Sequence, residues 1–178
     1  MSRPLPPKPA KLIIGMFTAD RPLVAEAAGR LIERLGEIDM VSPWFDFNYT
    51  AYYEKEMGRP LMRRLLVFKR LIDQQDLADI KWLCLKLEDT FSAQGNRRIN
   101  IDPGYLLAER FVLASGKNFT HRVYIGRRIY ADLTLTFTRN DFHCLPWTYP
   151  DYASRGMRDY LLQVRDKYLF DLKNNGSK

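Results

Sequence analysis

His121-Arg122 is the pair in this sequence that brings the most chemistry together in the least space. A histidine moves a proton near neutral pH, and an arginine offers phosphate or carboxylate a planar fork of donors. Neighbours on a strand point to opposite faces, so these two share a site only where a bulge re-aims one of them. Alternate residues do share a face. Arg122 and Tyr124 lie across a hairpin from Arg128, Tyr130 and Asp132, a candidate anion-binding patch with aromatic platforms. The same face also fits an exposed sheet surface of salt bridges and packed tyrosines. We take Arg98, Arg122 and Arg128 as candidate anion ligands, with Tyr53, Tyr124, Tyr130 and Trp147 as candidate contacts and walls. Asp102, Glu54 and His121 are the candidates for proton transfer or catalysis.

Spacing sets other chemistries aside. Two histidines (His121, His143) and two cysteines (Cys84, Cys144) at unrelated separations do not make a structural zinc set. An oxygen site for magnesium or manganese from Glu54, Glu56, Asp102 and Asp132 uses carboxylates that are ordinarily surface groups, so no metal ligand and no cofactor is assigned. There is no G-x-S-x-G nucleophile elbow. His121-Arg122-Val123 and His143-Cys144-Leu145 lack the hydroxyl residue of a two-histidine phosphodiesterase. The only Gly-Lys, Gly116-Lys117, is followed by Asn118 and has Phe111 where the leading glycine of a P-loop belongs, which excludes that motif.

The elements that must position these residues follow from periodicity. Lys11 to Phe17 is an apolar run, as for a central strand covered on both faces. Asp20, Pro22 and an apolar stripe ending at Gly36 predict a helix over 21–35. Residues 37–47 read as a strand bent or at an edge because of Pro43. Trp44, Phe45, Phe47, Tyr49, Tyr52 and Tyr53 then crowd a long connection, either pinned onto the core or facing a ligand. A strand over 61–70 and a helix over 74–92, capped by Asp73, come next. Arg98 to Asp102 reads as a short strand, and Asp102-Pro103 as the start of a helix over 103–115 closed by Gly116. Alternation over 122–125 and 128–137 gives a hairpin with Gly126-Arg127 as its loop. A short strand near 142–145, a Pro-held aromatic linker (145–152) and a last amphipathic helix capped by Asp151 complete the chain.

The fold class is therefore α+β: a mixed or mainly antiparallel sheet with helices packed on it. The β-α-β-β-α-β order over 11–102 suggests a ferredoxin-like core with an added hairpin and C-terminal helix. A length of 178 residues fits one domain, read here as 11–172, with a flexible Pro-rich stretch over 1–10 and a frayed end over 173–178. No apolar run approaches a membrane span, and two separated cysteines are no disulfide framework, so we expect a cytoplasmic protein without a membrane partner.

Net charge of +7 invites an anionic partner, but the basic residues come as scattered pairs, Arg63-Arg64, Arg97-Arg98 and Arg127-Arg128. A modestly basic solvated surface explains them unless the pairs converge in space.

Four stretches carry a resemblance: Tyr53-Glu54-Lys55-Glu56-Met57-Gly58, Asn100-Ile101-Asp102-Pro103-Gly104-Tyr105, His121-Arg122-Val123-Tyr124-Ile125-Gly126 and Leu145-Pro146-Trp147-Thr148-Tyr149-Pro150-Asp151-Tyr152. In these the chain resembles the bacterial and archaeal "domain of unknown function 4416" family, over about residues 8–170. The resemblance implies no activity and no catalytic residues. Our expectation is a domain that binds a small anionic ligand, a nucleotide or a phosphorylated molecule, with an enzyme as one form of it. An RNA-binding module using a basic, tyrosine-bearing sheet face is the alternative. A protein-interaction domain anchored by Trp147, Tyr149 and Tyr152 is a third.

Overall fold

The apolar run near the N-terminus becomes β1 (Ala10–Thr18), in which every residue is buried. It is central because β4 (Met62–Ile72) and β5 (Asn100–Leu107) pair with it on either side, both antiparallel. A computed structural model of the chain describes residues 3–175. In it one antiparallel sheet runs in the order β2 (Ile38–Val41), β4, β1, β5, β6 (Arg110–Ser115), β8 (Ile129–Thr138), β7 (Arg122–Gly126). Two short strands pair off this path, β3 (Phe45–Asp46) with β4 and β9 (Asp141–Cys144) with β8. The strand expected over 37–47 is thus split at Pro43 into two edge pieces.

Helices cover both faces. On one, α1 (Arg21–Leu35) and α3 (Leu77–Phe91) pack Leu23, Ala27, Leu31, Ile80 and Cys84 against Leu12, Ile14 and Met16. On the other, α5 (Arg155–Asn175) lays Met157, Leu161, Val164 and Tyr168 against Ile13, Leu65, Val67 and Phe111. The succession β1, α1, β2, β4, α3, β5 and the order β2-β4-β1-β5 give the ferredoxin-like core, extended by β6 to β9 and α5. Two four-residue helices, α2 (Glu54–Met57) and α4 (Pro150–Ala153), lie in the connections. Among the described residues no helix is long and apolar enough to cross a membrane.

The helix expected over 103–115 does not form. Those residues make a hairpin of β5 and β6, joined after Leu107 opposite Arg110. Both strands are buried on both faces, so the two-residue alternation that marks a strand is absent. Pro103 is tolerated because β6 joins β5 only from Gly104 onward, leaving that side of Pro103 without a ladder partner.

Smaller shifts have equally local causes. The β7–β8 loop is Arg127-Arg128, both at positive φ, one residue later than expected. Asp20 and Asp73 make no side-chain cap hydrogen bond, and Asp151 lies inside α4, whose N-cap is Tyr149. Asp20 pairs with Arg98 and Asp151 with Arg63 instead. Ser154 interrupts the last helix, α5 runs to Asn175, and residues 176–178 of the end expected to fray lie outside the described residues. Residues 1–2 of the expected Pro-rich stretch are also outside them, while 3–9 have no regular structure.

At the far end of β1, buried Lys11 lies 2.7 Å from Asp39 and 2.6 Å from Asp171. Lys167 completes the square, tying β1, β2 and α5 together. Burial pushes the Asp39 carboxyl up, but its hydrogen bonds to Lys11 and Lys167 outweigh this and hold it below the usual range.

Candidate functional site

Beyond Gly104 and Leu113 the strands β5 and β6 part: β6 runs on to Ser115 paired with β8 alone, while Asn100 to Pro103 stay on β1. The gap opens into a cavity of about 870 Å³, within the range of small-molecule sites. The side of α3 adjoining its core stripe points there: Lys81, Leu85 and Glu88, at spacings of four and three, all line it. Strand β4 contributes Arg63, and β5 contributes Asn100 and Asp102.

These groups form a buried charged network. Lys81 Nζ donates to Asp102 Oδ1 at 2.9 Å and to the Ile101 carbonyl at 3.3 Å. Asn100 Nδ2 donates to Asp102 Oδ2 at 2.5 Å. The Ile101 N–H donates to Glu88 Oε1, also at 2.5 Å. Arg97 clamps Glu56 through Nε and Nη2, each at 2.8 Å, and donates to Asn100 Oδ1. Arg63, only 4% exposed, sits among the rings of Phe17, Phe47 and Tyr152, each about 5 Å away. Its Nε is 2.9 Å from Asp151 Oδ2 but poorly aligned, so Arg63 Nε and Nη1, Asp151 Oδ2 and Tyr152 Oη all lack a hydrogen bond of good geometry. Gly15 leaves room for this cluster: a Cβ there would come within 2.8 Å of Tyr152 Oη.

The carboxyls are driven apart. Burial pushes Asp102 up, but the Lys81 and Arg63 charges prevail and hold it below its ordinary value. Burial also pushes Glu88 up, and there the neighbouring Lys81 does not compensate, so it reaches about 7. Two carboxyls separated in this way are what acid–base chemistry uses. Hydrogen bonds to Glu56 raise Arg97 above its usual value, so it stays a cation.

Across the cavity, Asp132 Oδ2 accepts from Arg122 Nε at 2.9 Å and lies 3.1 Å from His121 Nε2. His121 and Arg122 therefore do share a partner, without a bulge. His121 precedes the strand, in a turn where the Arg122 N–H donates to the Phe119 carbonyl, so strand alternation does not govern it. Arg122 Nη2 continues to Tyr149 Oη at 2.5 Å.

The expected site residues divide. Asp102, Arg122 and Tyr53 line the cavity. His121 stacks on Trp147 at 4.7 Å and reaches the wall through Asp132. Tyr124 and Tyr130 pack edge to face on the β7–β8 hairpin, and Arg128 is in its turn. Glu54 pairs with Arg59, and Arg98 with Asp20, outside the wall. Of the three basic pairs, Arg63 and Arg97 converge on the cavity, while Arg64 stacks on Trp44 and Arg127 pairs with Asp79. Lys81, Glu88, Arg63 and Asp151 were missed. Charged residues beside a helix's apolar stripe read as solvent-facing, and the one available signal was that Lys81 falls between the apolar Ile80 and Trp82.

A family model described as a domain of unknown function (DUF4416) matches residues 8–168. The chain belongs to that family. No curated protein and no solved structure gives a match. Each of the four stretches that carried the resemblance places residues in the cavity wall, as Tyr53, Asn100 with Asp102, Arg122, and Tyr149 through Tyr152 show.

The raised Glu88 has a measurable consequence. A carboxyl whose folded pKa lies above its unfolded value favours folding below the unfolded value, near 4.5, and that contribution is lost as pH rises through about 7. Glu88→Gln keeps the acceptor for Ile101 N–H and cannot ionise. Its stability relative to the parent is expected to increase between pH 4.5 and 7 and to level off above, read from paired urea melts.

Proposed function

We propose that the cavity binds a small anionic molecule, a nucleotide or another phosphorylated compound, and that Glu88 is placed for proton transfer within it. The observation that carries this reading is the burial of Arg63, Lys81 and Glu88, none more than 5% exposed, around a single cavity. Burying charges costs several kcal/mol per ion and is often no better for stability than an apolar core of similar volume. Perturbed, buried ionisable groups gathered in a cleft instead favour a functional site. Five cations line the wall (Arg63, Lys81, Arg97, Lys117, Arg122) against four carboxylates, one of them the weakly acidic Glu88, which favours an anion. A cytoplasmic location fits two free cysteines, one of them exposed.

The test is a thermal-shift screen with inorganic phosphate, nucleotides, sugar phosphates and short RNA at two salt concentrations. A ligand bound only by the folded state raises Tm. A shift with a small phosphorylated molecule that survives added salt is expected. A shift with RNA alone, collapsing with salt, would instead favour the sheet face of β7 and β8 as a nucleic-acid surface.

A further inference from the structure

The cations of the cavity wall are mostly committed to carboxylates. Arg63 faces Asp151, Lys81 faces Asp102, Arg97 faces Glu56 and Arg122 faces Asp132, each at 2.8 or 2.9 Å. Lys117 is different. It lines the cavity, is exposed, and among the described residues pairs with no carboxylate; its Nζ stands 5.7 Å from the centroid of the Tyr52 ring.

The aromatic residues of the connection after β3 divide in the same way. Phe47 stacks on Phe17 at 4.2 Å, and Tyr53 closes on Phe17 edge-on at 4.9 Å, so these rings are engaged. Tyr52 and Tyr49 also line the cavity but are 69% and 45% exposed, and each meets its neighbour only edge-on. Two tyrosine rings open to solvent on the same cavity wall, one of them beside a cation with no acidic partner, make a platform next to an anion anchor. A planar ring can stack on such a platform and a ring-free sugar cannot, so the platform discriminates between the two.

Building on the cavity reading, we propose that the ligand is a planar aromatic ring carrying a phosphate, with the ring stacked on Tyr52 beside Tyr49 and the phosphate held by Lys117. This shared chemistry has two sources, a nucleoside phosphate and a simple aryl phosphate. The deep network of Arg63, Lys81, Asp102 and Glu88 then faces the part of the ligand that enters the cavity.

The test is calorimetric titration with adenosine, guanosine and uridine 5′-monophosphates, phenyl phosphate and ribose 5-phosphate. At least one ring-bearing probe is expected to bind about tenfold more tightly than ribose 5-phosphate, the factor that about 1.4 kcal/mol of stacking supplies. Tyr52→Ala removes that advantage and leaves ribose 5-phosphate unchanged, while Tyr52→Phe keeps it. Lys117→Ala weakens every probe. A preference for the nucleotides or for phenyl phosphate tells the two sources apart, and either supports the proposal. Equal binding of ring-bearing and ring-free probes, or a Tyr52→Ala loss shared by all of them, overturns it while leaving the cavity as an anion site. Binding by none of the probes overturns the cavity reading as well.

Discussion

Arg63→Met is expected to cost about 3–5 kcal/mol of stability, the range for removing one partner of a buried ion pair. The loss arises because Asp151, 5% exposed, is left charged with no cation beside it, and Phe17, Phe47 and Tyr152 lose the guanidinium among them. Arg63→Met with Asp151→Leu is expected to recover most of that loss, since an apolar pair of similar volume is often as stable as the ions it replaces. Urea unfolding of the parent, both single variants and the double variant gives the comparison as a cycle. Recovery of stability without recovery of ligand binding would separate the two roles of the pair. A double variant as unstable as the single one would mean that Arg63 and Asp151 are held for the fold.

The second large effect concerns the backbone that shapes the cavity. A Cβ on Gly104 would lie 2.5 Å from the Val112 carbonyl oxygen and 2.9 Å from Leu113 Cδ2, at the point where β5 and β6 join. The nearest obstacle is main chain, so no rotamer change relieves it, and Gly104→Ala is expected to destabilise by about 3 kcal/mol. Gly116→Ala is the control. A Cβ there meets nothing within 4 Å, and a change of less than about 0.5 kcal/mol is expected. Denaturation midpoints of the two variants check the contrast, and equal midpoints would contradict it.

Gly104 also marks where the sequence misled. Asn100 to Gly104 carries the signature of a helix start, an aspartate followed by proline, and nothing local shows that a strand passes there. The strand is set by β1 on one side and β6 on the other, partners distant in sequence. Elements with a single buried face were legible. The stripes of α1, α3 and α5 and the alternation of β8 emerged where periodicity placed them. The ferredoxin-like order was legible too, because it follows from element succession. The site was legible only in part. Asp102, Arg122 and Tyr53 lie in the cavity wall, but Lys81 and Glu88 are charged residues on an amphipathic helix, and their burial depends on a gap between strands that no local pattern encodes. His121 and Arg122 were separated on paper by an alternation that begins one residue later.

The most direct test of the cavity as the binding site is an amide-resolved NMR titration of the parent protein. Its ligands are the best small phosphorylated probe from the thermal-shift screen and, separately, a short single-stranded RNA. The expected result is that the small probe perturbs the amides of Tyr52, Arg63, Glu88, Asp102 and Lys117 and leaves Val123, Tyr124 and Arg128 in place. Perturbations confined to Val123, Tyr124, Arg128 and Tyr130, with the cavity amides unmoved, would contradict it and transfer the function to the β7–β8 face.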